Sequence, residues 1–115
     1  MSYSTNYALS LVPPKELTNL EWNHMEESII KIFRAVNTNA RTLLDEQGYS
    51  QVRGDWSECI VELRDFSKGY PEVVFVLEGN GEEPLDLWKL YVKDGKHFLS
   101  EAQIIFDEYD ESKLT

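Results

Sequence analysis

Apolar residues in the first half of the chain recur every three or four positions, which is the spacing of one face of an α-helix. The residues of this stripe are Trp22, Met25, Ile29, Ile32, Phe33, Val36, Ala40, Leu43 and Leu44. We therefore predict one amphipathic helix over residues 19–47, with Thr18 and Glu21 as a capping box and Gly48 as the stop. The three poor helix formers Asn37, Thr38 and Asn39 mark the point where so long a helix would bend or break.

Alternating or continuous apolar runs elsewhere predict β-strands. A strand or ordered arm over residues 3–12 ends at Pro13-Pro14, because proline cannot continue a ladder. Further strands are predicted at 56–66, 72–78, 87–93, 96–99 and 102–106. Residues 56–66 would place Cys59, Val61 and Leu63 on one face, and Asp94-Gly95 is a type I′ hairpin signal.

These elements predict a single acidic α+β domain over residues 1–115, in which one long N-terminal helix packs on an antiparallel β-meander sheet. A chain of this length can bury a core without disulfides or metal ions. Two orientations of strand 87–93 remain open. Either Trp88, Leu90 and Val92 face the helix while Tyr91 faces outward, or these two sets are exchanged.

Composition favours a soluble, cytoplasmic protein that binds neither nucleic acid nor membrane. The chain has 21 acidic and 11 basic residues, a net charge of −10, whereas a phosphate-binding surface needs clustered Lys and Arg. Its single cysteine, Cys59, allows no intrachain disulfide and fits a reducing compartment. The first residues lack the basic and apolar regions of a signal peptide, and no run approaches the ~20 apolar residues of a membrane span.

Few residues form a pattern associated with catalysis, a cofactor or a metal ion. Glu21 and His24 have the Glu-x-x-His spacing of metal sites in helical bundles, but such sites take this motif from two helices. We expect Cys59 to be a core residue, and His97 has no Cys or His close in sequence. The loop at Gly79-Asn80-Gly81 lacks the Lys and Ser or Thr of a phosphate-binding loop. We therefore predict no catalytic, cofactor-binding or metal-binding residue and no enzymatic activity.

The negative charge is concentrated in the second part of the chain. Residues 1–54 hold 6 acidic and 5 basic residues, whereas residues 55–115 hold 15 acidic and 6 basic ones. Trp56, Trp88, Phe106 and Tyr109 lie among these acids. This pattern suits a surface that captures a basic partner, with aromatic anchors for affinity and acids for the speed of encounter. The same pattern is expected if the aromatic residues belong to the core and the acids only keep the protein soluble. Both interpretations remain open.

In size, charge, layout and lack of motifs, the chain resembles the immunity proteins that bacteria make against secreted nuclease toxins, including those of contact-dependent inhibition systems. The resemblance implies a non-catalytic inhibitor that binds a cognate basic toxin nuclease and covers its active or substrate-binding surface. An acidic inhibitor is physically sensible because a nuclease needs a basic surface to hold nucleic acid.

On this hypothesis, carboxylates of the sheet half would pair with toxin Lys and Arg, and aromatic residues would supply the buried anchor. The candidate partner-binding residues are Glu78, Glu82, Glu83, Asp86, Trp88, Tyr91, Asp107, Glu108, Tyr109, Asp110 and Glu111. The protein itself would be a monomer or a weak homodimer that associates through a free sheet edge.

Two other classes of function stay open. The first is a small enzyme or ligand-binding domain with a pocket between helix and sheet that uses Glu21, His24 or Cys59. The second is a structural subunit that dimerises through the long helix. Polar residues on the outer helix face, Arg34 and Arg41 among them, argue against the second class.

Overall fold

The computed structural model describes residues 4–14 and 19–115, and its elements follow an α+β pattern. They are β1 (Thr5–Val12), α1 (Asn19–Val36), α2 (Thr38–Leu43), α3 (Cys59–Ser67), β2 (Val74–Gly81), β3 (Leu87–Lys93), β4 (Lys96–Glu101) and a 3-10 turn at Glu111–Lys113. The strands form an antiparallel sheet in the order β1-β2-β3-β4. The predicted α+β class, the N-terminal strand and the meander are confirmed.

One face of the sheet carries the hydrophobic core. Every second residue of β1, β2 and β3 points into it, as in the row that joins Leu9, Leu77 and Leu90. The main contributions from the helices and from the loop before α3 are Trp22, Ile29, Ile30, Phe33, Ala40, Leu43, Trp56, Cys59 and Leu63. On β3, Leu90 and Val92 are buried and Tyr91 faces outward, which decides between the two orientations of this strand.

The prediction of one helix over residues 19–47 is wrong, because the helix breaks at Asn37. Asn37 has an extended backbone (φ −126°, ψ 115°), and its Oδ1 accepts a hydrogen bond of 2.8 Å from Ala40 N at the start of α2. Asparagine suits this position because its side chain satisfies an amide that has no partner within the helix. The break lies within the segment where the sequence predicted it. Thr18 of the predicted capping box and Tyr3 of the predicted strand lie outside the described residues.

The prediction that Gly48 ends the first helix is also wrong, since α2 ends at Leu43. Gly48 instead lies in a loop that follows the outer edge of β1. Its φ is +90°, and its carbonyl oxygen accepts a hydrogen bond of 2.7 Å from Leu9 N. Further along this loop, Gly54 and Thr5 exchange backbone hydrogen bonds of 2.8 and 3.0 Å. The loop therefore covers the edge of the sheet that β1 would otherwise expose.

Residues 56–66, predicted as a strand, contain most of α3 instead. Cys59, Leu63 and Ser67 are buried at intervals of four residues, whereas Val61 is 62% exposed. The helix also brings Ser67 Oγ to the β3–β4 turn, where it accepts a hydrogen bond of 2.9 Å from Gly95 N. The alternation of Cys59, Val61 and Leu63 therefore does not decide the structure, because tertiary packing buries residues four positions apart, as in a helix.

Candidate functional site

Acidic residues gather at one end of the sheet, where β2 and β3 are joined by residues 82–86. Glu82 and Glu83 are exposed, and Asp86 is half-buried. Glu82 Oε1 accepts a hydrogen bond of 2.7 Å from Ser4 N, which ties this loop to the start of β1. Glu101 lies at the same end because β4 ends there, opposite Trp88. We refer to Glu82, Glu83, Asp86 and Glu101 as the acidic end.

A concavity of about 630 Å³ opens beside the acidic end. Its lining residues come from the four strands, with Ser50 from the loop along β1 and Ala102 after β4, and include Tyr7, Glu78, Trp88 and Glu101. The Trp88 ring meets the Tyr7 ring edge to face, with centroids 6.0 Å apart. Glu78 forms an ion pair of 3.4 Å with Lys89 on the neighbouring strand. Glu78 and Lys89 point to the outer face of the sheet, whereas the Tyr7 and Trp88 rings lie on the core face, so the concavity is bordered by strand residues of both faces.

Trp88 is held on the core face of the sheet by the absence of a side chain at Gly79, its neighbour across β2 and β3. A Cβ atom on Gly79 would lie only 2.0 Å from Trp88 Cε2. The indole thus packs directly on the β2 backbone, and Trp88 is half-buried against the core. Its position on the core face leaves the Trp88 ring fixed and accessible only in part.

Residues 102–115, which we call the arm, leave the sheet at the acidic end. Ala102 N still donates a hydrogen bond of 2.9 Å to Leu87 O, but every residue of the arm is exposed. Its large apolar side chains are Ile104, Ile105, Phe106, Tyr109 and Leu114, with exposed fractions of 57–86%. The predicted strand at 102–106 is therefore wrong, because within the described residues no backbone hydrogen bond beyond that of Ala102 joins this segment to a strand.

The arm carries four of the predicted partner-binding acids, namely Asp107, Glu108, Asp110 and Glu111. Asp107 forms an ion pair of 3.1 Å with Lys113. Asp110 Oδ1 accepts hydrogen bonds from Ser112 Oγ and Ser112 N, which hold the pKa of the Asp110 carboxyl below its ordinary value. The acids of the arm flank the exposed Tyr109 and follow the exposed Phe106 in sequence.

The structure brings five of the eleven sequence-predicted site residues to one end of the sheet. Glu78 and Trp88 line the concavity, Glu82, Glu83 and Asp86 lie in the adjoining loop, and the arm begins beside them. Tyr91 lies apart, on the outer face of the sheet next to Phe98, with ring centroids 6.2 Å apart. Trp56, one of the aromatics found among acids, is a core residue only 1% exposed.

Sequence reasoning missed Glu101, Tyr7 and the exposed Ile105 as parts of this region. It placed Phe106 among the acids but did not include it in the candidate partner-binding residues. Tyr7 and Glu101 have no such signal, because only the strand register brings them to the concavity.

Residues considered for catalysis are not gathered into a site. Burial raises the pKa of the Cys59 thiol to about 11, so it is not a thiolate at neutral pH. Glu21 and His24 lie on the exposed surface of α1, and neither they nor Cys59 line the concavity. Within residues 4–14 and 19–115 there is no group of three or more His, Cys, Asp or Glu side chains that could hold a metal ion. Nor does any helix in those ranges have the length and apolar character needed to cross a membrane.

A scan against protein-family models and searches of curated proteins and solved structures found no match to this chain.

Proposed function

We propose that this protein is a non-catalytic inhibitor that binds a basic protein, and that its partner is a nuclease-type toxin, as in toxin-immunity pairs. The observation that carries the proposal is the arm, in which exposed apolar side chains adjoin carboxylates and which starts at the acidic end. Monomeric proteins rarely expose so many large apolar residues in one segment unless it contacts a partner. The arm and the acidic end, from which it starts, together form the candidate surface.

The charge of this surface favours a basic partner. A nuclease binds the phosphates of its substrate through Lys and Arg, and carboxylates of an inhibitor can occupy the same positions. The acids also attract such a partner over several ångströms before contact, which raises the association rate at low ionic strength.

The apolar residues of the arm favour a protein partner over a free cation. Phe106 is 86% and Tyr109 is 78% exposed, so binding can bury almost the whole of both side chains. Complete burial of one such side chain contributes about 1.5–3 kcal/mol. Aromatic residues that fill a pocket on the partner are typical hot spots of an interface, whereas rim acids mainly affect the association rate.

The proposal is tested by capture of partners from the native host's lysate at low and high salt, followed by assays on the purified captured protein. We expect a basic nuclease whose cleavage of nucleic acid is inhibited by this protein in a stoichiometric titration. A captured protein whose activity is unchanged at saturation, or capture of no specific protein from a lysate that contains the neighbouring gene products, would refute the inhibitor hypothesis.

A pair of charge-reversal variants then tests the surface. Glu83→Lys with Glu108→Lys changes one acid of the loop and one of the arm, and we expect about tenfold slower association at low salt. Glu46→Lys with Glu72→Lys is the matched control, because it alters the net charge equally at exposed positions outside the acidic end and arm. Equal slowing by both variants would show that only net charge matters and would contradict the assigned surface.

The anchor role of the arm is tested through the dissociation rate. We expect Phe106→Ala to cost about 2 kcal/mol of binding energy, or roughly 30-fold in affinity, mainly through faster dissociation. Val61→Ala is the control, since Val61 is exposed to 62% on α3, away from the arm. Unchanged dissociation of Phe106→Ala would exclude Phe106 as an anchor.

The concavity beside Trp88 supports a second candidate function, the binding of a small ligand. Its volume of about 630 Å³ falls within the range typical of ligand pockets. It lies among strand residues, whereas the sequence-based alternative placed a pocket between helix and sheet. A ligand that binds there would change Trp88 fluorescence, and Trp88→Phe would remove that signal. If no small metabolite in a screen changes this fluorescence, the small-ligand function is refuted and the protein-binding function is the one that stays supported.

A further inference from the structure

β4 forms the uncovered edge of the sheet. Lys93 and Lys96 close the two-residue hairpin, so Lys96 and every second residue after it bond inward to β3. Ala102 N, which donates to Leu87 O, follows the same alternation. The backbone N–H and C=O groups of His97, Leu99 and Glu101 therefore point away from the sheet. No segment within residues 4–14 and 19–115 pairs with them.

The two edges of the sheet differ in whether their backbone groups are covered. The edge of β1 is covered by the loop that contains Gly48 and Gly54, and Leu11 N donates to Glu26 Oε2 at 3.1 Å. β4 has no proline or bulge, and Phe98 and Leu99 are 65% and 44% exposed. A regular edge strand with exposed apolar residues is a template for pairing with another strand.

We propose that β4 pairs antiparallel with β4 of a second copy of this chain, which joins two sheets into one sheet of eight strands. Outward-pointing residues must pair with outward-pointing residues of the second copy. With Leu99 on the two-fold axis, the whole of residues 97–101 is paired, and His97 faces Glu101 of the partner subunit on both sides of the axis. The strand is thus complementary to itself in the antiparallel direction, as a two-fold interface requires.

The charges at the two ends of the sheet support this arrangement. Basic residues surround the β3–β4 turn at the end opposite the acidic end: Arg64 Nε donates to Gly95 O at 2.8 Å, Lys68 lies beside Gly95, and Lys93 and Lys96 are exposed. Asp94 is the acid within the turn itself. Antiparallel pairing of β4 brings the acidic end of each subunit beside the basic turn of the other, whereas parallel pairing would place like charges together.

The dimer is expected to be weak. A contact between two six-residue strands is small compared with the ~1,600 Å² buried in a standard stable interface. Most of the arm continues past the paired segment, so dimerisation leaves its aromatic residues accessible. Dimerisation engages Glu101 and places the acidic end beside the basic turn of the other subunit, so it competes with part of the proposed partner-binding surface. Oligomeric state and nuclease inhibition are measured separately, and either proposal can fail without the other.

The first test is the oligomeric state over a concentration series reaching the millimolar range, by analytical ultracentrifugation at low salt. We expect a monomer–dimer equilibrium that Leu99→Lys weakens by about tenfold, since two ammonium groups would meet on the axis. Val61→Lys is the matched control, with the same charge added at an exposed apolar residue of α3. A chain that stays monomeric throughout the series would overturn the proposal.

The second test addresses the register. His97→Glu alone and Glu101→Lys alone are each expected to weaken the dimer, and the double variant is expected to restore it because it places a carboxylate opposite an ammonium group. Amide hydrogen exchange of the wild type should slow with protein concentration at His97, Leu99 and Glu101, but not at Phe98. A dimer whose concentration-dependent protection lies in other segments, or that tolerates Leu99→Lys, would overturn the assignment to β4.

Discussion

Replacement of Gly79 by alanine tests the packing that shapes the candidate site. The new Cβ atom would lie 2.0 Å from Trp88 Cε2 and 2.2 Å from Cζ2, both in a rigid ring. The ring must move, because the β2 backbone is fixed by pairing on both sides. Movement of Trp88 also disturbs its edge-to-face contact with Tyr7, whose ring centroid is 6.0 Å away.

The cost of Gly79→Ala is estimated from three effects. Overpacking of a core site costs about 1–3 kcal/mol. Loss of the aromatic contact adds about 0.5–1.5 kcal/mol. The lower entropy of the unfolded alanine chain offsets about 0.4–1 kcal/mol. We expect a net loss of about 2–3 kcal/mol in the free energy of unfolding. With an unfolding entropy of about 2.1 cal/mol/K per residue over 115 residues, this lowers Tm by roughly 8–12 °C.

Urea and thermal unfolding followed by Trp fluorescence and circular dichroism would measure this loss. Gly69→Ala is the matched control, because its Cβ would meet only Phe66 O at 3.6 Å, an ordinary contact. We expect the control to change the free energy of unfolding by less than about 1 kcal/mol. In a double-mutant cycle, Trp88→Leu should remove most of the cost of Gly79→Ala. Equal stability of the two alanine variants, or additivity in the cycle, would refute the packing argument.

Three further outcomes follow from the contacts described. Ser67→Ala leaves the buried Gly95 N–H without its acceptor and should cost about 1–3 kcal/mol in urea unfolding, whereas an unchanged midpoint would show that the turn is not held by this bond. The folded-state pKa of Cys59 is raised from 9.0 to about 11, so its contribution to stability is complete below pH 9 and is lost as pH rises to 11; Cys59→Ala should remove about 2–3 kcal/mol of the fall in unfolding free energy over that interval. Deletion of residues 103–115 should change the free energy of unfolding by less than about 0.5 kcal/mol, because none of their side chains is buried, and a larger loss would show that the arm belongs to the fold.

The strands were predictable where local signals agree with tertiary structure. Residues 87–93 alternate apolar and polar side chains, and Asp94-Gly95 supplies the two positive φ angles of the turn, so β3 has the predicted bounds. The helices were less predictable, because a stripe of apolar residues continues through Asn37 although the backbone does not. The position of the break was visible in the sequence, but whether the helix bends or stops depends on how α2 packs.

The errors arise where long-range contacts decide the structure. Residues 59–67 form a helix because Leu63 and Ser67 meet the sheet and the β3–β4 turn, which are distant in sequence. Ile104, Ile105 and Phe106 have strand propensity, but no strand among residues 4–14 and 19–115 lies beside them. The sequence could place acids near aromatics, but it could not show that Trp56 is buried while Phe106 is exposed.

Stability and association lie in different parts of this molecule. Gly79, Ser67 and Cys59 hold the core face of the sheet and the turn that closes on α3, so their replacement should change the free energy of unfolding first. Leu99 lies on the open edge of the sheet and Phe106 lies in the arm. Substitution there removes few contacts within the fold but removes a central contact of each proposed interface. A variant at Leu99 or Phe106 that keeps its unfolding midpoint and loses association would therefore identify a contact surface and exclude a folding defect.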